Sequence, residues 1–146
     1  MLHAKRSCYD LLVIMPKTEK QKVGKKGEDL ACTYLSDKGF EVIDRNYLKP
    51  WGEIDIVAKK AKRLYFIEVK SVSADLSVTR ETSQDQYRPE DNVHPAKLER
   101  MRKVIQTYLF EKYGDREVDW QFDVMTVYLD YVLKKAKVER LENVIL

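Results

Sequence analysis

The order of apolar and polar positions divides the chain into alternating helical and extended segments. Over residues 25–38, Leu30, Ala31, Tyr34 and Leu35 recur at the spacing of one helical face, and Gly39 then supplies the left-handed residue on which helices commonly end. Residues 40–45 change to alternation, which predicts a strand closed off by Asn46 and Pro50. Two β-rich runs, 53–58 and 64–70, flank residues 59–63 as an antiparallel hairpin would, although that turn holds no Gly or Asn. Residues 71–96 show no period and contain Pro89 and Pro95, so they read as a long functional connection, a candidate lid. Leu98, Met101, Ile105, Tyr108 and Leu109 then mark a second helix that stops near Gly114. Val118, Trp120, Phe122, Val124, Thr126 and Tyr128 alternate along a long strand, and residues 138–146 add an edge strand.

These elements give an α-β-β-β-α-β core, a mixed α/β sheet with one helix available for each face. Residues 1–22, ending in Lys17, Lys20 and Lys22, have no sustained period and read as a flexible extension, which leaves residues 23–146 as the domain. A length of 146 residues fits one hydrophobic core. At 44% hydrophobic and 35% charged, the composition disfavours both disorder and a membrane protein. The apolar run 11–15 is far too short to span a bilayer or to act as a signal segment, so the expected location is cytoplasmic. Cys8 and Cys32 match no metal-ligand spacing and read as reduced thiols.

The balance of 27 basic and 24 acidic side chains gives +3, which permits a polyanionic partner without demanding one. Its distribution is more informative. Residues 71–96 carry 2 basic and 5 acidic groups, whereas residues 1–50 carry 10 and 7 and residues 51–70 carry 5 and 3.

The hairpin contains a chemical anomaly. Asp55, Glu68 and Lys70 lie in otherwise apolar strands, where ionised groups are costly without partners. Side chains alternate along a strand, so Phe66, Glu68 and Lys70 share one face and Tyr65, Ile67 and Val69 the other. A register in which paired positions sum to 123 sets Asp55 against Glu68, Glu53 against Lys70 and Val57 against Phe66. Two facing carboxylates repel unless a cation lies between them, and such oxygens suit a hard ion such as Mg²⁺ or Mn²⁺. Lys70 could then orient or deprotonate a water, or hold a phosphate oxygen, in phosphodiester hydrolysis. The competing reading is that Glu-x-Lys occurs by chance and that the charges are solvated guards of a sheet edge.

Several ordered motifs sharpen the choice. Gly24-Lys-Lys-Gly-Glu28, Ala31 with Tyr34-Leu35, Gly39-Phe40, Arg45-Asn46-Tyr47, Gly52-Glu-Ile-Asp55-Ile-Val57, Phe66-Ile-Glu68-Val-Lys70 and Phe122-Asp123-Val124 together resemble the UPF0102 (YraN-like) family over residues 22–146. That family is similar to the PD-(D/E)XK nucleases, whose restriction-endonuclease-like fold is shared with Holliday junction resolvases. The resemblance implies Asp55, Glu68 and Lys70 as the catalytic set, with Glu28 on the first helix joining Asp55 and Glu68 around the metal. Three positions depart from the pattern: Ile54 replaces the proline of the superfamily name, Ser71-Val72 follows Lys70 where Thr-Arg is typical, and Gln121 precedes Phe122 where Arg is usual. Two arginines of the kind that contact phosphates are therefore missing.

Glu28 either supplies a third metal oxygen or answers the positive end of its helix, and the resemblance favours the metal. Lys97, which opens the second helix, matches a lysine common in the family, and together with Arg45 it is assigned to nucleic-acid phosphates. Arg100 and Lys103 on the same helix read as a solvated face, Asp123 as a structural ion pair, and His94 as a surface residue. Trp51, Tyr47 and Tyr87 read as packing groups rather than base-stacking platforms. The expected function is metal-dependent endonucleolytic hydrolysis of DNA, with branched or single-stranded DNA among the candidate substrates and a homodimer as one arrangement. The rival is a non-catalytic nucleic-acid-binding module of the same fold, working within a DNA-processing assembly.

Overall fold

A computed structural model of the chain describes residues 4–10, 23–77 and 94–146. Its elements run β1 (Ala4–Asp10), α1 (Val23–Asp37), β2 (Glu41–Lys49), β3 (Gly52–Lys60), β4 (Arg63–Ser73), α2 (Pro95–Tyr113), β5 (Asp119–Asp130) and β6 (Lys135–Leu141). They build one mixed sheet of six strands in the order β1-β6-β5-β4-β3-β2. Only β4 and β5 are parallel, which is why the longest connection, carrying α2, joins them.

Two parts of the sheet differ from the sequence reading. Ala4–Asp10, which the pattern placed in an extension outside the core, runs antiparallel to β6 from Ala4↔Leu141 to Asp10↔Lys135. With β1 outside it, β6 is an inner strand rather than an edge, and it ends at Leu141 rather than Leu146. Residues 11–22 lie outside the described residues, as do residues 78–93, the greater part of the candidate lid. β4 also takes up the first three residues assigned to that lid.

Each helix covers one face. Leu30, Ala31, Tyr34 and Leu35 of α1 pack on Ile56, Ile67, Met125 and Val127. On the other side, Met101, Val104, Ile105 and Tyr108 of α2 pack on Val57, Phe66, Phe122 and Val124. The central strand β5 is buried on both faces from Gln121 to Asp130, as expected for a strand covered by two layers. Cys32 is a free thiol beside the α1 core, and no described helix is long and apolar enough to cross a membrane.

The turns explain the register. Lys60 pairs with Arg63, so Ala61 and Lys62 form a two-residue loop, and Ala61 takes the left-handed conformation (φ 54°) that glycine would adopt at less cost. Gly39 (φ 83°) and Gly114 (φ 61°) terminate the two helices as expected.

Gly27 sets how closely α1 approaches the sheet. A Cβ at this position would lie 1.8 Å from Ser71 Oγ and 3.0 Å from Ser71 Cβ. The absent side chain therefore lets the second turn of α1, with Glu28 next in sequence, rest directly on β4. Gly27→Ala is expected to cost roughly 1–3 kcal/mol through overpacking, and Ser71→Gly in the same chain is expected to restore most of it. Urea-denaturation midpoints of the two single variants and the double variant check this coupling.

Candidate functional site

The β3–β4 ladder follows the anticipated register over Ile56↔Ile67, Val57↔Phe66 and Ala58↔Tyr65, and it stops at Ile56. Asp55 and Glu68 would form the next rung. Instead the Val69 N–H donates to Asp55 Oδ2 at 2.8 Å. A side-chain carboxylate thus accepts a backbone hydrogen bond beyond the end of the ladder, and the expected Glu53–Lys70 pairing is not made. The strand also loses strict alternation here: Ile54 and Val57 both pack on the α2 side, while Ile56 between them packs on the α1 side.

Glu68 and Lys70 continue the face begun by Phe66, whose ring is buried against α2. Their parallel partners on β5 are Val124 and Thr126. Lys97 enters from above: its Nζ lies 2.5 Å from Glu68 Oε1. Its position depends on the helix start, where extended His94 accepts from the Ala96 N–H through Nδ1 (3.2 Å) and Pro95 occupies the first turn. His94 is therefore an exposed cap that holds Lys97 in place, and the His-Pro pair was its sequence signal.

The electrostatics of the cluster follow from burial. Burial pushes the Asp55 carboxyl up to about 7, the neighbouring Glu68 charge pushes in the same direction, and the Val69 hydrogen bond opposes both. Burial lowers the pKa of Lys70, and the adjacent Lys97 ammonium lowers it further. For Lys97, burial pulls down most strongly, but the bond and charge of Glu68, with smaller help from Lys70 and Asp55, together outweigh it, so its pKa is raised. Burial also raises Glu28, against the opposing influence of Arg45 and Asn46.

Asp55, Glu68, Lys70 and Lys97 therefore form one electrostatic group. Glu28 is close enough for its charge to add to the rise at Asp55, yet its carboxylate faces Arg45, with NH2 3.7 Å from Oε2. That same Arg45 NH2 bonds Asp29 Oδ1 at 2.8 Å. Both cations assigned to nucleic acid, Lys97 and Arg45, are thus engaged by acids of the chain itself. Among the described residues no three His, Cys, Asp or Glu side chains come together as a ready metal cage. What fits a hard divalent ion is the narrower pair Asp55 and Glu68: two adjacent oxygen donors, one of which is driven by burial and by the other's charge to hold a proton.

The neighbouring residues have structural work. Asp123 is fully buried and accepts from Arg140 Nε at 2.9 Å, Gln121 Nε2 at 2.8 Å and the Asn143 N–H at 2.9 Å. Gln121, standing where an arginine is usual, also accepts from Arg63 at 3.0 Å. Tyr47 packs edge-on against Tyr108 and donates to Glu111. Arg100 and Lys103 are exposed, as is Trp51, and Tyr87 lies outside the described residues.

The model of the Uncharacterised protein family UPF0102 matches residues 27–127, a span that includes Glu28, Asp55, Glu68, Lys70 and Lys97. The chain belongs to the UPF0102 family. A UPF0102 protein of Campylobacter lari is 40% identical over 109 residues, covering 73% of this chain and 84% of that protein. One from Helicobacter pylori strain P12 is 36% identical over 121 residues, covering 83% and 89%. One from Wolinella succinogenes is 35% identical over 123 residues, covering 84% and 95%.

In this UPF0102 chain the raised Asp55 pKa gives stability a pH dependence of definite sign. Between the ordinary value of 3.8 and about 7 the folded carboxyl retains a proton that the unfolded one releases. Stability is therefore expected to fall as pH rises through that window and to level off above it. Asp55→Asn, which cannot ionise, is expected to lack this decline. Urea midpoints at pH 5 and pH 8 should draw closer together in the variant than in the wild type.

Proposed function

We propose that this protein is a metal-dependent endonuclease acting on phosphodiester bonds of DNA. The observation that carries this reading is the meeting of Asp55, Glu68 and Lys70 where the β3–β4 ladder gives way to a carboxylate–backbone bond. The resemblance of the same three residues to the PD-(D/E)XK pattern supports it. Asp55 and Glu68 would hold Mg²⁺ or Mn²⁺, with Glu28 at the margin. When bound, such an ion supplies Lewis-acid polarisation of the phosphoryl group and acidifies a water.

The chain's own groups have distinct parts in this reaction. Val69 N–H fixes one oxygen of Asp55, Oδ2. Lys70, its pKa lowered by burial and by Lys97, gives up a proton more readily than an ordinary lysine and so can accept one from the attacking water. Lys97 adds positive charge beside the phosphate's path. A homodimer working at a cytoplasmic location is compatible with this proposal, with each subunit addressing one strand of branched DNA.

A second reading, a nucleic-acid-binding module without catalysis, is favoured by one specific feature: the acids of the site already have basic partners, Glu68 with Lys97 and Glu28 with Arg45. The loss of two arginines at Val72 and Gln121 points the same way.

Incubation of the purified chain with duplex, single-stranded and branched DNA in Mg²⁺ or Mn²⁺ separates the two. The nuclease reading expects metal-dependent products, and it expects Asp55→Asn, Glu68→Gln and Lys70→Met each to lower the rate about a hundredfold or more while keeping a cooperative unfolding transition. An Asp55→Asn protein that cuts like the wild type rejects the assignment. Salt-dependent DNA binding without cleavage on any substrate favours the binding module.

A further inference from the structure

The Lys97–Glu68 pair is unequal. The Glu68 side chain is 13% exposed on a central strand, whereas the Lys97 side chain is 35% exposed on a flexible stem at the edge of the cluster. If the pair opens, the ammonium is the partner that can leave for water. Two further features loosen its hold. Lys97 sits in the first turn of α2, where the partial positive charge of the helix end disfavours a cation. The Lys70 ammonium also lies beside it and is drawn by charge to the same two acids, so it competes for them. A divalent ion feels the same opposing charges, but it can satisfy Glu68 and Asp55 together, whereas the ammonium is bonded to Glu68.

We propose that Lys97 is a built-in occupant of the cation position at Glu68, and that a divalent ion enters the site by displacing its ammonium. This inference rests on the metal-site reading of Asp55 and Glu68 and adds a control to it. In the metal-free protein the lysine prevents Glu68 from facing Asp55 with unopposed charge. The same contact lowers metal affinity, because every ion bound must break it. Loading then releases a cation beside the site, so that Lys97 is paired inward without metal and free to meet a phosphate with it.

The test is direct binding of Mn²⁺ to the metal-free full chain, followed by titration calorimetry and by the loss of the free-ion electron paramagnetic resonance signal. Lys97→Met retains the length of the side chain and removes the charge. It is expected to bind Mn²⁺ about tenfold more tightly than the wild type, the scale of one charge-assisted hydrogen bond no longer broken on loading. Its melting temperature is expected to be lower without metal and to rise more on adding Mn²⁺. Equal or weaker binding by Lys97→Met overturns the inference. Glu68→Gln distinguishes that failure from failure of the underlying reading. If Glu68→Gln abolishes binding while Lys97→Met matches the wild type, the site stands and the displacement does not. If neither the wild type nor Lys97→Met takes up Mn²⁺, both fall.

Discussion

Two carboxylates brought together in a partly buried place need positive charge, and much of the local architecture follows from that need. Asp55 and Glu68 arise on adjacent antiparallel strands just past the last rung at Ile56↔Ile67, close enough for the Glu68 charge to raise Asp55. Each way the protein meets the demand is visible. A proton is retained on Asp55 up to about pH 7, the Lys97 ammonium sits against Glu68, and the Val69 N–H is turned from ladder duty to the Asp55 oxygen. None of these is a permanent neutralisation of both acids, and that is the opening the proposed metal would use.

On its β5 side the sheet is regular beside this interrupted end. β5 next to it is buried on both faces, and its one internal acid, Asp123, is met by a guanidinium that is 2% exposed. That guanidinium also lies over the Phe40 and Tyr65 rings at 4.8 and 5.5 Å. At the far end of β5, Asp130 accepts from the Leu76, Val132 and Leu133 N–H groups and anchors the chain leaving β4. The contrast between Asp123 and Asp55 is instructive. One buried acid has a full set of fixed donors and reads as structure. The other has a single donor and an acidic neighbour, which is the condition of a site.

Much of this was legible in the residues because it depends on periodicity. The alternation in residues 64–70 correctly separated Phe66, Glu68 and Lys70 from Tyr65, Ile67 and Val69, and the two-residue loop after Lys60 follows once that register is set. What escaped the sequence depends on approach in three dimensions. Residues 4–10 lack an alternating apolar pattern, and their place beside β6 comes from backbone pairing, which any side chains allow. The end of the ladder at Ile56 could not be read either, since a carboxylate substituting for a rung leaves no compositional trace. In the sequence Gly27 reads only as part of the Gly24-Lys-Lys-Gly-Glu28 motif, and its closeness to Ser71 gives it a physical reason. Arg45 reads as a phosphate contact alongside Lys97, which reads as one from its place at the helix start and its likeness to a family lysine. Their acidic partners, Asp29 and Glu68, lie 16 and 29 positions away along the chain, beyond the reach of local pattern.

Charge also relates the proposed chemistry to the arrangement of the lysines. With both acids ionised and both lysines protonated, Asp55, Glu68, Lys70 and Lys97 sum to zero, which offers a phosphodiester no attraction. A divalent ion held by the acids would turn that balance positive, and the excess remains after one phosphodiester charge is set against it. Loss of a proton from Lys70 then moves the assembly towards neutrality instead of away from it. The lowered Lys70 pKa, caused first by burial and then by Lys97, is thus matched to a state in which metal and phosphate are both present. A module that only gripped DNA would gain from keeping Lys70 fully charged and exposed. Burying it beside a second ammonium weakens such a grip, and that is the physical reason to read the cluster as built for reaction.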